Sequence, residues 1–222
     1  MTIDAVLAPH VRACASGDWV VFLNLRADRY HALGVGALSP YAWRKLGVSV
    51  PDPARTGEQI AEIAPEDARA LETLVSAGLA TRVNVDRDRA HNNDLPWILR
   101  RLPDGLAWFW ASSWAADIVS GRRLERAVAR LTAWKANITQ PLAQSKVLAR
   151  FERLRPWYPR RRVCLFDALA LMAFALSRGV SADWVTGVRG RPFAAHCWVE
   201  TEGQIISVTD DDCTSFTPIL RV

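Results

Sequence analysis

The chain has 222 residues, half of them apolar and 23% charged, with a formal net charge of +5. This is the composition of a folded protein with one large domain or two small ones, and it excludes a long disordered tract. The positive excess comes from scattered arginines, densest at Arg160, Arg161 and Arg162, and by itself selects no partner class.

The opening Met1–Val6 lacks a basic start followed by a continuous apolar run, so no secretory signal is expected. Asp18–Leu25 is β-rich; the polar turn Arg26–Arg29 and a second run Tyr30–Leu33 complete a hairpin with a four-residue connection. Ser39-Pro40 combines an N-cap with proline at the first helical position and predicts a short helix through Trp43 and Leu46 that stops at Gly47. Ser49–Gly57, with Pro51 and Pro53, reads as a loop. From Glu58 onward Ile60, Ile63, Leu71, Leu74 and Val75 recur at helical spacing, with Pro65 dividing a short helix from a longer one. Gly78 is the expected C-cap, and Leu79–Val83 returns as a strand. Hairpin, helices and closing strand form a winged-helix-like first domain, residues 1–85; the charged, asparagine-rich residues 86–94 read as a linker, and residues 95–222 as the second domain.

Leu95–Arg101 and Leu106–Ser120 look helical, and Arg122–Trp134 sets Leu124, Val128 and Leu131 on one face. Trp97, Trp108, Trp110 and Trp114 are expected in the core. The apolar stretch around Leu106–Val119 is broken by Ser112, Ser113 and Asp117 and is too short to span a bilayer, so a cytoplasmic protein is expected. Cys14, Cys164, Cys197 and Cys213 show no C-x-x-C spacing, and His10, His31, His91 and His196 lie far apart. Neither a metal site nor a disulfide framework is expected.

After Arg160–Arg162, Cys164 stands where basic coil gives way to an apolar helix ending near Ser177-Arg178-Gly179. A thiol at a helix N-terminus near cations loses its proton readily, which makes Cys164 a candidate nucleophile. Asp167, one turn on, could also reach the site but is expected to face solvent. Asp183–Val188, Phe193–Glu200 and Gln204–Val208 read as strands, the last two joined by a turn at Glu202-Gly203. A cysteine-bearing helix packed on an antiparallel sheet bearing His196 is a papain-like and transglutaminase-like arrangement: imidazole takes the thiol proton and later protonates the leaving amine, while a third polar group fixes its tautomer. A cysteine opening an apolar helix is also a common buried hydrophobe, so the reading rests on the pair. Cys197 should point to the opposite strand face and serve as core packing; Trp198 shares the face of His196 and either walls the cleft or packs in the core.

Cys164-Leu165, Ala168–Leu171, Val188, Pro192–Glu200 and Phe216–Leu220, with 32 positions from Cys164 to His196, resemble the leader peptidases of lasso-peptide biosynthesis. The likeness covers roughly the last third of the chain. The hairpin Val20–Leu25 through Tyr30–Gly34, with the helices to Leu79, resembles the leader-recognition element of peptide-modifying systems, similar to the small peptide-chaperone domain of pyrroloquinoline quinone biosynthesis. The resemblance implies an α+β chain, with a winged-helix-like N-terminal domain before a transglutaminase/papain-like cysteine protease domain. It also implies a peptidase that removes the leader of a lasso-peptide precursor and works with an asparagine-synthetase-like macrolactam synthetase. ATP would belong to that partner, and no cofactor to this chain. The leader would add a strand beside the hairpin, with Val20, Phe22, Tyr30 and Leu74 as candidate contacts.

One departure stands out. The family's third catalytic residue is an aspartate 12 positions after the histidine, where this chain has Val208. A three-residue turn around Glu202 would set position 208 opposite His196; a shift of one or two residues would bring Thr209 or Asp210 there, with Asp211 and Asp212 adjacent. Asp210 is the candidate third catalytic residue; a Cys–His dyad, an inactive site and a non-catalytic leader-binding scaffold are the alternatives. Acyl transfer, as in transglutaminases, would use the same nucleophile. Nucleic acid is disfavoured, because the helix Glu66–Ala77 sets Glu66, Asp67 and Glu72 against Arg69 alone.

Overall fold

A computed structural model describes residues 5–50, 65–82, 97–138, 146–206 and 212–222. The chain is α+β and divides into two compact units, Met1–Asp88 with Val188–Ala194, and Arg89–Gly187 with Ala195–Val222. The linker read at residues 86–94 and the segment 51–64 lie outside the described residues.

In the first unit, β1 (Ala5–Leu7) pairs antiparallel with β5 (Ala80–Arg82), and β2 (Val11–Ser16), β3 (Trp19–Asn24) and β4 (Arg29–Gly34) form an antiparallel meander. The β3 sequence WVVFLN has no exposed residue, as befits a central strand, whereas β4 is an edge with Arg29, His31 and Ala32 exposed. Helices α1 (Pro40–Lys45) and α2 (Pro65–Ser76) supply Trp43, Leu71 and Leu74 to a core shared with Val20 and Phe22. The cap at Ser39 forms as expected, its hydroxyl oxygen accepting from the Ala42 N–H at 3.2 Å. It is itself fixed from afar: the Ser39 N–H and hydroxyl donate to the two Asp67 carboxylate oxygens at 2.8 and 2.6 Å. Asp67 thereby joins α1 to α2 and is buried.

The second unit contains α3 (Asp104–Ser120), α4 (Leu124–Ala136), α5 (Val147–Leu154) and α6 (Cys164–Ser177), then a sheet of β6 (Asp183–Arg189), β7 (Ala194–Thr201), β8 (Gln204–Ile205) and β9 (Thr217–Arg221) in the order β8-β7-β6-β9. Every α6 residue from Phe166 to Ser177 is buried, the signature of a helix that is apolar all round. Helices α3, α4 and α5 pack against it. Each Phe or Leu so buried contributes about 1.5–3 kcal/mol, enough to fix the position of the helix's first residue, Cys164. Trp108 and Trp114 are in the core, Trp110 is half-buried, and Trp134 packs against Trp110 and Trp114 at 5.5 and 5.0 Å. The side chain of Trp97 lies outside the described residues.

The β7–β8 turn falls at Glu202-Gly203, as read from the sequence. It has two residues, Glu202 and Gly203, both at positive φ (49° and 77°), which is type I′ geometry and pairs Glu200 with Ile205. The three-residue turn that would have set position 208 opposite His196 is not formed, because an I′ turn matches strand twist with two residues. Val208, Thr209, Asp210 and Asp211 lie outside the described residues. Among the described residues, no helix is long and apolar enough to cross a membrane.

Candidate active site

Cys164 is the first residue of α6, and the N–H groups of that first turn have no acceptor within the helix. No capping side chain comes from Val163 at the N-cap. The cap comes from Asp167, whose carboxylate accepts the Val163 N–H at 3.2 Å. Asp167 was expected in solvent, but it is 2% exposed and pairs with Arg155, also 2% exposed. An ionised carboxylate is tolerated there because the guanidinium and the Val163 N–H replace water. The same guanidinium donates to the main-chain oxygens of Tyr158 at 3.3 Å, Arg160 at 3.1 Å and Arg161 at 3.4 Å. Arg155 therefore staples the strand of coil that leads into Cys164 to the first turn of the helix. The Tyr158 ring stacks on Phe166 at 5.5 Å, and the Arg160 guanidinium lies over the same ring at 5.1 Å. Beside them a pocket of about 480 Å³ is lined by Phe109, Tyr158, Pro159 and Arg160.

The other half of the site is β7. Both His196 and Cys197 reach the Cys164 sulfur. Cys197 is buried as expected of a core residue, yet its thiol and main-chain N–H donate to Cys164, a contact the strand-alternation argument missed. Two adjacent residues of β7, His196 and Cys197, thus act on the same sulfur. The Cys197 sulfur also lies 3.4 Å from the Thr186 hydroxyl on β6.

These contacts set the charge of the sulfur. The Cys164 pKa falls from 9.0 to about 5, chiefly through the hydrogen bond from Cys197, against the opposing effect of burial, with the Cys197 N–H and the positive charge of His196 adding to the fall. The largest causes thus sit on β7 and not in the arginine run Arg160–Arg162. Cys197 moves the other way, well above 9.0, because its proton is held in the bond to Cys164 and because it is buried. One cysteine is a thiolate at neutral pH and the other is its donor.

His196 is 5% exposed and lies in an aromatic slot. Its ring is nearly parallel to Trp198, at 6.0 Å and 17°, and 5.5 Å from Phe216. Trp198 is placed in turn by its indole N–H, which donates to Glu200 Oε1 at 2.7 Å, and Glu200 pairs with Arg221 on β9. Burial would raise the Glu200 carboxyl, but hydrogen bonds from Arg221 and Trp198 outweigh it and hold the group below its ordinary value. Phe216 and the Glu200–Arg221 anchor were not recognised as parts of the site from sequence.

The remaining candidates distribute unequally. Asp210 lies outside the described residues. Val20 and Phe22 are 0% exposed and Leu74 is 2% exposed, all three within the core of the first unit, while Tyr30 on β4 is half-buried. Among the described residues, no group of three or more His, Cys, Asp or Glu side chains is arranged to hold a metal ion.

Residues 106–221, just over half of the chain, match the family profile described as the transglutaminase-like superfamily. A curated relative, the microcin J25-processing protein McjB of Escherichia coli, is 46% identical over 44 residues, a match that spans 20% of this chain and 21% of that protein. No solved structure gives a significant match to the chain.

Proposed function

The chain belongs to the transglutaminase-like superfamily, and from that premise we propose that it is a cysteine peptidase that removes the leader from a ribosomally made lasso-peptide precursor. The observation that carries the reading is the placement of Cys164 as the first residue of α6, with Cys197 and His196 of β7 both at its sulfur. The name of the partly matching relative, a processing protein for microcin J25, supports the substrate class.

In this reading the Cys164 sulfur attacks the carbonyl carbon at the leader–core boundary, and first-turn N–H groups of α6 stabilise the oxyanion. His196 gives its proton to the leaving amine of the core peptide, and the carbon–nitrogen bond breaks to leave an acyl thioester. Water then attacks the thioester, His196 takes its proton, and the carbon–sulfur bond breaks to release the leader's new carboxyl terminus and restore the Cys164 thiolate. The pocket beside Tyr158 receives an apolar side chain of the substrate near the cut. The leader adds a strand to the exposed edge of β4, where main-chain bonds supply affinity and Tyr30 a side-chain contact. The work is done in the cytoplasm beside a macrolactam synthetase, which supplies ATP chemistry of its own. A second reading, a leader-binding scaffold without catalysis, is favoured by one observation, Val208 at the family's aspartate position.

Intact-mass analysis of the cognate precursor, incubated with the protein, the synthetase and ATP, separates the two. Cleavage at the leader boundary that falls by more than about 1,000-fold in Cys164→Ala supports the peptidase. A further loss in Asp210→Ala, with gain in Val208→Asp, assigns Asp210 as the replacement for the missing aspartate. Leader binding with no cleavage, unrescued by Val208→Asp, means a scaffold.

A further inference from the structure

The imidazole of His196 is flanked by two aromatic rings, and one of them is held more tightly than core packing requires. Trp198 is 2% exposed, nearly parallel to His196, and fixed at its polar end by the bond to Glu200. Its other end fits against Gly187 on β6. A Cβ built on Gly187 would lie 2.6 and 2.7 Å from the ring carbons Cη2 and Cζ3 of Trp198 and 2.8 Å from the Cβ of Phe216. Glycine is needed at this place not for its backbone freedom but for the absence of a methyl group, since any Cβ would press on both walls of the slot at once. The anchor extends outward: Arg221 bridges Glu200 to Asp183, and Asp183 pairs with Lys135 on α4.

We propose that Trp198 is a positioning residue for His196: seated against Gly187 and tied through Glu200 to Arg221, it forms with Phe216 the slot that sets the plane of the imidazole toward the Cys164 sulfur. A ring flanked by two well-packed aromatic rings is held in its plane by those contacts. The proposal rests on the reading of Cys164 and His196 as a working pair. The other titratable group in contact with the sulfur, Cys197, is left unchanged in the variants of this test.

The test is the pH dependence of Cys164 alkylation by iodoacetamide, resolved by peptide mass so that Cys14, Cys197 and Cys213 are counted apart, in the wild type and in Trp198→Phe, Trp198→Leu, Gly187→Ala and His196→Gln. The wild-type midpoint is expected at about 5. Trp198→Leu and Gly187→Ala should raise the midpoint toward that of His196→Gln, cutting the alkylation rate at pH 5 about tenfold for each pH unit by which the midpoint rises, and Trp198→Phe, which keeps a ring, should restore most of the wild-type profile. Precursor cleavage should lose kcat by about 10–100-fold with KM little changed, the mark of a misplaced catalytic group. A purely structural tryptophan would lower the melting temperature and leave the midpoint of the folded protein where it was, which overturns the proposal. If Trp198→Leu does not fold, Gly187→Ala compared with Trp198→Phe decides by the same criterion. A wild-type midpoint near 9 that His196→Gln does not move would instead overturn the Cys164–His196 pair itself.

Discussion

Each half of the candidate pair is backed by an arginine–carboxylate contact, and the two contacts are built on different principles. Behind Cys164, Arg155 and Asp167 are both 3% exposed at the side chain and share their remaining bonding capacity with four main-chain groups. Behind His196, Arg221 is 48% and Glu200 13% exposed, and the link to the imidazole passes through a tryptophan rather than the main chain. The first contact therefore determines where the backbone goes, and its failure should be global. The second orients one side chain, and its failure should be confined to that side chain. Burial decides between them: an ion pair in water contributes little, whereas removing one partner of a buried pair leaves an uncompensated charge.

The largest expected effect breaks the buried side. Arg155→Met leaves the Asp167 carboxylate without its cation and should cost about 3–5 kcal/mol, measured by denaturant unfolding. The double variant Arg155→Met/Asp167→Leu should recover most of that stability, because an apolar pair of similar volume replaces a buried ion pair at little net cost. It should not recover alkylation of Cys164 at pH 6, since the carbonyls of Tyr158, Arg160 and Arg161 and the N–H of Val163 have lost the groups that tied them together. A double variant with normal alkylation would show that packing of α6 alone places the sulfur.

A smaller effect sits between the two halves. Cys197→Ala removes the S–H donor to Cys164 while the main-chain N–H remains, so the Cys164 value should rise from about 5 toward 9.0. The direction for stability follows. A thiol whose value is lowered on folding contributes stability that is full above its unfolded value and is lost as pH falls through the folded one. The variant narrows that window from its acid side, and the difference in unfolding free energy between wild type and variant should shrink as the pH is lowered to about 5. Measured as site-resolved alkylation at pH 6, the expected loss is about tenfold for each pH unit by which the Cys164 value rises above 6.

What could be read in advance divides along the same line. Cys164 at the start of α6 and His196 within β7 were legible, because a largely apolar helix of fourteen residues after a basic coil, and a strand after a turn, are local patterns. The short strands β1 and β2 were not, for Val-Arg-Ala-Cys-Ala-Ser carries neither an apolar run nor strong alternation, and its partner β3 supplies the pairing. Asp167 was misread because an acid in a first helical turn ordinarily faces water. What buries it is Arg155, twelve residues earlier, which no periodicity connects to it. Cys197 was placed on the correct strand and in the core, but its contact with Cys164 depends on how closely α6 approaches β7. Phe216 and Gly187 carry no chemistry of their own and acquire a role only when Trp198 is seen against both.

The smallest effect tests the exposed side. Arg221→Ala removes a guanidinium that is nearly half exposed, bonded to Glu200 and, at 3.2 Å, to Asp183. Exposed pairs contribute about 0–1 kcal/mol, so the melting temperature should hardly move. The bond from Trp198 to Glu200 does not need Arg221, and Asp183 retains Lys135, so the slot around His196 should survive with a slightly looser wall. Alkylation of Cys164 should keep its midpoint near 5, and added salt should mimic the variant in the wild type, because screening weakens there the pair that the variant removes. If Arg221→Ala instead matched Trp198→Leu, the carboxylate of Glu200 would be placed by its charge partner before its indole partner. The two halves of the pair would then share one ionic principle, and the contrast between buried and exposed contacts would not hold.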